Sequence, residues 1–185
     1  MLMLMKTDTC STPVIGFAAR SGTGKTTLLK KLIPLLRAQG LRLAVIKHAH
    51  QDFEIDHPGK DSYELRKADA CQILISSKKH KALITEFTEH QQEPTLAELM
   101  LDLDHEKLDL VLVEGFKLAK IAKIELCRQT INEACLYKTD QNIIALAVDY
   151  SFQSKLKIPI LKLNRPESIA NFIINTFLVN YEHYQ

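Results

Sequence analysis

The sequence predicts an α/β fold, with a mostly parallel sheet flanked by helices and an inserted antiparallel hairpin. Two observations carry this prediction. Short apolar runs alternate with stretches of helical periodicity along most of the chain, which is the pattern of βαβ units. Between residues 72 and 87, two strand-like runs follow each other with only a short polar connection, which is typical of a hairpin.

The first strand and helix are the clearest elements. Residues 14–18 form an apolar run, and residues 26–39 carry leucine and isoleucine at helical spacing. That spacing gives the wide apolar face of a helix that packs on a sheet, and Gly40 is placed to end the helix. Residues 43–47 begin with four apolar residues in five, as expected for a buried parallel strand.

The later elements continue the alternation. They are predicted as a helix at 62–70, strands at 72–77 and 82–87, a helix at 95–104, strands at 108–113, 121–128, 143–148 and 159–163, and a helix at 165–181. Three of these helices are predicted to start with a capping box, in which an N-cap residue is followed three positions later by a glutamate. The pairs are Asp61 with Glu64, Thr95 with Glu98, and Asn164 with Glu167.

Length and composition favour one domain. With 185 residues and 46% hydrophobic content, we expect residues 13–185 to form a single α/β domain and residues 1–12 to be a frayed or disordered N-terminus. The hairpin at 72–87 is a candidate small outer subdomain. The net charge of +2 is too small to indicate nucleic-acid binding, and no apolar run is long enough to cross a membrane. The four cysteines lack Cys-x-x-Cys spacing, so we expect reduced thiols in the cytoplasm.

A glycine-rich loop joins the first strand to the first helix. It reads Ala19-Arg20-Ser21-Gly22-Thr23-Gly24-Lys25-Thr26-Thr27, which fits a phosphate-binding loop except that Ala19 replaces the first glycine. Glycines let the loop backbone aim its N–H groups at phosphate oxygens, and the helix start adds its free amides and dipole. Lys25 would supply charge to the terminal phosphates and Thr26 a hydroxyl to Mg²⁺, whereas Arg20 is expected to be solvated.

Other polar residues follow the ends of predicted parallel strands, where ligands bind in α/β sheets. Glu114 ends an apolar strand and is expected to hold Mg²⁺ through water or to orient an attacking water, although it could instead cap a turn before Gly115. Lys47 ends the second predicted strand, and the polar loop that follows, His48 to Lys60, contains His48, His50 and His57. The loose spacing of these histidines does not favour zinc, and the loop could order over phosphates or stay solvated.

Two aspartates leave alternatives open. Asp61 could be a Mg²⁺ ligand or a helix N-cap. Asp149 closes a strand late in the chain. In guanine-specific phosphate-loop proteins, a carboxylate at such a place pairs with the ring N1–H and the amino group, but Asp149 could equally be a turn residue. A basic cluster at residues 78–81 is most simply a hairpin tip.

Three further blocks extend the motif into a family resemblance. They are Ile46-Lys47-His48, Pro58-Gly59-Lys60-Asp61-Ser62-Tyr63-Glu64-Leu65-Arg66-Lys67-Ala68, and Leu108-Asp109-Leu110-Val111-Leu112-Val113-Glu114-Gly115-Phe116-Lys117. Together with the loop, they resemble the MobB family of molybdopterin-guanine dinucleotide biosynthesis proteins over about residues 13–178. An alanine at position 19 is within the habit of that family.

The resemblance implies a GTP- and Mg²⁺-binding accessory protein with, at most, weak GTPase activity. Its partner would be the MobA-like guanylyltransferase that joins GMP to molybdopterin, it would form a homodimer through the inserted strands, and molybdopterin itself is a candidate ligand. The expected catalytic residues are Lys25 and Glu114. The expected nucleotide contacts are Ser21, Gly22, Thr23, Gly24, Lys25, Thr26, Thr27, Lys47 and Asp149, and the expected Mg²⁺ ligands are Thr26, Glu114 and Asp61.

The runner-up is a small-molecule kinase with the same phosphate loop. Such kinases close an arginine-bearing lid on the transferring phosphoryl group. The chain has six arginines, and they do not cluster after Glu114, which argues against this alternative.

Overall fold

A computed structural model describes residues 12–49, 55–87, 92–131, 134–151 and 156–184. The frayed N-terminus predicted for residues 1–12 lies outside these ranges except for Thr12, as do His50, Asp52 and Glu54 of the polar loop. The chain divides into two compact units, residues 1–48 with 96–185, and residues 49–95. The single domain expected for residues 13–185 stays a prediction.

The strands and helices follow the predicted order. They are β1 (Val14–Ala19), α1 (Lys25–Ala38), β2 (Leu43–Lys47), α2 (Asp61–Lys67), β3 (Gln72–Ser76), β4 (Lys81–Thr85), α3 (Leu96–Leu101), β5 (Leu110–Glu114), β6 (Lys123–Cys127), β7 (Ile143–Val148), β8 (Ile160–Lys162) and α4 (Pro166–Phe172). Most bounds lie within two residues of the prediction, because most of the strands are apolar runs closed by polar residues.

The larger unit is built on a parallel sheet. Within the described ranges, six strands pair in the order β2-β5-β1-β6-β7-β8, and every pairing is parallel. The predicted α/β fold with a mostly parallel sheet is therefore confirmed. β1 lies in the interior of the sheet, between β5 and β6, so the segment after β1 has a neighbouring strand end on each side.

Helices cover both faces of this sheet. On one face, α1 packs against α4 and buries Leu28, Leu29, Leu32 and Leu36. On the other face, Leu96 and Met100 of α3 pack with residues from β2 and β5. Burial of each such side chain contributes about 1.5–3 kcal/mol to stability. This packing holds β1, β2 and β5 in place within the sheet.

The smaller unit contains α2 and the predicted hairpin. β3 and β4 pair antiparallel, with Leu74 opposite Leu83, and the basic residues 78–80 lie in the turn, with residue 81 opening β4. The inserted hairpin is therefore confirmed. Among the described residues, no helix combines the length and apolar character needed to span a membrane.

Two predicted helix starts are wrong in detail. Asp61 is the first residue of α2 rather than its N-cap, which is the extended residue Lys60 with no side-chain cap. Arg165, not Asn164, is the N-cap residue of α4, and it too lacks a side-chain cap. In both places residue types fit a capping box, but the backbone turns one residue away from the expected cap.

The last predicted helix, 165–181, is also not uniform. The α-helix ends at Phe172 and continues as a π-helix, Ile173–Phe177, before a 3-10 turn at Tyr181–Tyr184. The buried side chains Ile173 and Phe177 lie on the π-helical segment. The π-helical segment therefore still turns apolar side chains into the core.

Candidate functional site

The glycine-rich loop has the backbone geometry of a phosphate cradle. Gly22 and Gly24 have φ angles of 75° and 96°, a region that glycine enters without steric cost. Ala19 ends β1 in strand geometry, which explains why no glycine is needed there. Thr23 is buried and donates its hydroxyl to the carbonyl of Arg20 at 2.7 Å, so the loop is braced from inside.

The start of α1 presents free amides. The first helical bond runs from the N–H of Leu28 to the carbonyl of Gly24 at 2.9 Å, so the amides of Lys25, Thr26 and Thr27 precede the ladder. No side chain caps this end and its first turn holds no acidic residue. An uncapped helix N-terminus of this kind favours an anion.

Glu114 meets the loop directly. The sheet pairs Glu114 with Phe17 of β1 on one side and with Lys47 of β2 on the other. Across this junction, the hydroxyl of Thr26 donates to Oε1 of Glu114 at 3.1 Å. Thr26 and Glu114, both expected as Mg²⁺ ligands, therefore lie in contact although they are 88 positions apart in the chain. Oxygen atoms of hydroxyl and carboxylate groups are ligands that Mg²⁺ prefers.

A tight turn aims Glu114. Gly115 has a φ of 102°, and a Cβ added there would lie 2.6 Å from Cβ of His48. The next residue, Phe116, also has a positive φ of 47°, and its ring lies 4.9 Å from the His48 ring. Non-glycine residues rarely adopt positive φ, so this turn is held in place by its packing.

Arg128 braces the other side of the loop. Its Nε donates to the carbonyl of Thr23 at 2.8 Å, and its Nη1 donates to Oδ2 of Asp149 at 3.0 Å. The other carboxylate oxygen of Asp149 accepts the amide of Gln129 at 2.9 Å. Arg20 is not simply solvated, because its Nη2 donates to the carbonyl of Ala134 at 3.3 Å.

Comparison with known proteins places this geometry in a family. The family model described as "Molybdopterin guanine dinucleotide synthesis protein B" (MobB) matches residues 14–149. The chain belongs to the MobB family.

Relatives of the MobB chain agree along most of its length. It is 48% identical over 163 residues to the "Molybdopterin-guanine dinucleotide biosynthesis adapter protein" of Escherichia coli (strain K12), covering 88% of this chain and 91% of that protein. The adapter protein of the same description from Haemophilus influenzae is 39% identical, with 88% of each chain covered. A crystal structure of "molybdopterin-guanine biosynthesis protein B (mobB)" superposes with a TM-score of 0.69 at 25% identity, covering 90% of this chain and 99% of that one.

The remaining expected site residues of this MobB chain are placed less directly. Lys47 is exposed and follows the buried Ile46 at the end of β2, so its position at the carboxyl edge of the sheet fits the expectation. Asp61 belongs to the smaller unit. There it opens α2, and the next residue, Ser62, donates the hydrogen bond that is the main cause of the lowered pKa of Asp56.

Sequence reasoning missed Arg128 and the cluster beside it. Cys127 and Cys135 place their sulfurs 2.7 Å apart, and the buried Glu125 accepts the amides of Leu136 and Tyr137 at 2.5 and 2.8 Å. Burial raises the pKa of Glu125 and of the Cys127 thiol. Both oxygens of Glu125 accept backbone amides, so Glu125 ties residues 136 and 137 to β6.

Proposed function

We propose that this protein is a GTP-binding adapter in the synthesis of molybdopterin guanine dinucleotide. It would act in the cytoplasm beside the MobA-like guanylyltransferase that joins GMP to molybdopterin. Membership of the MobB family and the description of its relatives as adapter proteins of molybdopterin-guanine dinucleotide biosynthesis support the pathway. The observation that carries the nucleotide part is the contact between Thr26 and Glu114 over an uncapped helix start.

The residues present fit a nucleoside triphosphate with Mg²⁺. The amides that precede the α1 ladder and the side chain of Lys25 would bind the phosphates, with backbone contacts from Ser21 to Thr27. Thr26 and Glu114 would hold the metal, Glu114 directly or through water. Bound Mg²⁺ would neutralise charge on the terminal phosphates.

Turnover is expected to be slow. Glu114 is the candidate to orient an attacking water, and it already shares its carboxylate with Thr26. The role proposed for GTP is therefore to set the conformation of the adapter, with at most a weak GTPase activity. Among the described residues, no arginine cluster follows Glu114 that would favour the kinase alternative.

Lys47 is proposed as an accessory contact. It stands next to Glu114 in the sheet ladder and would add positive charge at the phosphate end. The Mg²⁺-ligand role expected for Asp61 stays a prediction, because Asp61 belongs to the smaller unit.

The protein is also proposed to form a homodimer through its hairpin. Leu74 and Leu83 are a cross-strand pair and stay 63% and 56% exposed. Apolar side chains paired on one sheet face are normally covered, and a second copy of the hairpin would cover them.

A calorimetric titration with Mg²⁺ and a complementation assay test the function together. We expect GTP to bind more tightly than ATP or GDP, and Lys25→Ala to abolish GTP binding and the synthesis of guanylated cofactor in a strain lacking its own adapter. Lys30→Ala, an exposed lysine one turn further along α1, serves as control. Failure of GTP to bind would remove the nucleotide part of the proposal. Full complementation by a Lys25→Ala protein that no longer binds GTP would leave a nucleotide-independent adapter.

A further inference from the structure

We infer that the cavity beside the phosphate loop, between α1, Arg128 and the segment after β8, is the purine-base subsite of the proposed GTP site. Its donor groups would read the O6 and N7 edge of guanine. This inference rests on the proposed function, because it assumes that the triphosphate occupies the loop.

The cavity lies next to the phosphate loop, between the start of α1 and the residues that follow β6 and β8. It is lined by Gly24, Thr27, Lys31, Arg128, Leu163 and Asn164, among others, and has a volume of about 170 Å³. That is many times the space that one water molecule needs, so a planar base has room there. Gly24 and Thr27 belong both to the loop and to the cavity lining, so the cavity adjoins the phosphate cradle.

The two neighbours of β1 divide the site. β5 lies on one side of β1 and delivers Glu114, the proposed metal residue. β6 lies on the other side and delivers Arg128, and β7 and β8 follow it. A triphosphate held between them with its metal toward β5 would direct its nucleoside toward β6–β8, where the cavity opens.

The cavity combines apolar walls with hydrogen-bond donors. Leu28 and Leu163 lie in its lining and are almost fully buried, so they close its apolar side against the core. The polar groups are the ammonium of Lys31, the guanidinium of Arg128 and the amide of Asn164. Since Oδ1 of Asn164 accepts from Nη1 of Arg128 at 3.4 Å, the Asn164 amide nitrogen remains to donate.

Hydrogen-bond donors in the cavity would select guanine over adenine at the base edge that carries N7 and the substituent at C6. Guanine offers two acceptors there, O6 and N7, whereas adenine offers N7 and a donating amino group. Each oxygen of Asp149 already accepts one hydrogen bond, from Arg128 and from the amide of Gln129. We therefore assign to Asp149 the holding of Arg128, and the direct contact with guanine expected from the sequence stays a prediction, since each carboxylate oxygen keeps a second lone pair.

Arg128 is a positioning residue in this scheme. It ties the carbonyl of Thr23 to Asp149 and Asn164 at once. A Cβ on Gly24 would lie 3.6 Å from Nη2 of Arg128, so the guanidinium also forms the wall where loop and cavity meet. A lysine could not make these three contacts together, because its donors share one nitrogen.

Four ligands test the inference on the wild-type protein with Mg²⁺, namely GTP, ITP, ATP and inorganic tripolyphosphate. ITP keeps O6 and N7 but lacks the 2-amino group. We expect ITP to bind about as well as GTP, and ATP to bind roughly tenfold or more weakly. If ITP instead binds as poorly as ATP, the 2-amino group is being read and the inference is overturned.

Two variants separate the base site from the phosphate site. Asn164→Asp replaces a donor by an acceptor and should reduce the ratio of GTP to ATP affinity by roughly tenfold. Asn171→Asp makes the same charge change on the exposed surface of α4 and should leave the ratio unchanged. Arg128→Lys should lower the ratio while tripolyphosphate binding persists, with unfolding midpoints recorded to establish that each variant is folded.

The possible failures are distinguishable. If all triphosphates bind wild-type protein equally, or if Asn164→Asp and Asn171→Asp keep the same ratio, the phosphate loop stands and the base site is wrong. If neither tripolyphosphate nor any nucleotide binds, the proposed function fails and the base site fails with it.

Discussion

Gly115 shows how one residue sets the geometry of the site. Gly115 has a positive φ and lies close to His48, where a larger residue would clash. It directly follows Glu114, whose carboxylate accepts a hydrogen bond from Thr26. The chain turns away directly after Glu114, while the Glu114 side chain stays on the loop. The cost of this turn is offset by the buried strand that precedes it.

Gly115→Ala should therefore destabilise the protein by about 1–3 kcal/mol. Gly40→Ala is the matched control, because Gly40 has a similar φ of 87° but no atom within 4 Å of an added Cβ. The Gly40→Ala protein should lose only the stability that an alanine loses at positive φ, about 1 kcal/mol. Urea unfolding measures both, and equal losses would contradict the role given to the His48 contact.

Glu114→Gln tests the metal role at the same scale. The amide keeps the shape and a weak acceptor for Thr26 but loses the negative charge, so we expect the apparent affinity for Mg²⁺ in the presence of GTP to fall about 10- to 100-fold. Glu106→Gln, at an exposed residue four positions before β5, serves as control. An unchanged Mg²⁺ dependence in the Glu114 variant would remove it from the metal site.

At the scale of elements, the starts of β2 and β5 are joined by an ion pair. Arg42 donates its amide and guanidinium to Asp109, with Nη2 2.8 Å from Oδ1. These hydrogen bonds from Arg42 lower the pKa of Asp109 to about 2. The strand predicted at 108–113 begins two residues later, at Leu110, so Asp109 lies just before β5.

The pair predicts a pH dependence of stability. A carboxylate whose pKa is lowered on folding stabilises the fold above its ordinary pKa of 3.8, and this contribution is lost as the pH falls toward 2. Asp109→Asn should therefore melt below wild type at pH 5–6, and the difference should shrink between about pH 4 and 2. The exposed Asp102→Asn controls for net charge. A difference that stays constant over this range would contradict the assignment.

The sequence was most informative where structure is local. Apolar runs placed the strands of the sheet, and the Gly-Lys-Thr spacing placed the loop, because both depend on neighbours in the chain. Capping was less predictable: Asp61 and Asn164 have suitable side chains, but the backbone makes Lys60 and Arg165 the N-cap residues.

Arg128 could not be found in this way. Its partner in the loop, Thr23, is 105 residues away, and it precedes a segment of mixed polarity with no recognisable motif. Only the order of strands brings the end of β6 beside β1 and shows the contact. A lone arginine immediately after an apolar strand was the one available signal, and it is too common to predict a site.

At the scale of the whole molecule, the hairpin carries the proposed dimer. Leu83→Glu places a charge on its exposed apolar pair and should convert a dimer to monomer in sedimentation velocity at micromolar concentration, because burying an unpaired charge at an interface is costly. Leu118→Glu, at a residue 96% exposed in the other unit, should leave the state unchanged. A Leu83→Glu protein that sediments as wild type would exclude this face.

The central claim is that the loop and Glu114 together bind Mg²⁺ and GTP. A crystal structure with a non-hydrolysable GTP analogue and Mg²⁺ tests it most directly. We predict phosphates against the amides that begin α1, Lys25 on the terminal phosphates, and Mg²⁺ bound by the hydroxyl of Thr26 with Glu114 beside it. An analogue bound elsewhere, with the Thr26–Glu114 contact unchanged and the loop holding only water at saturating ligand, would contradict the claim.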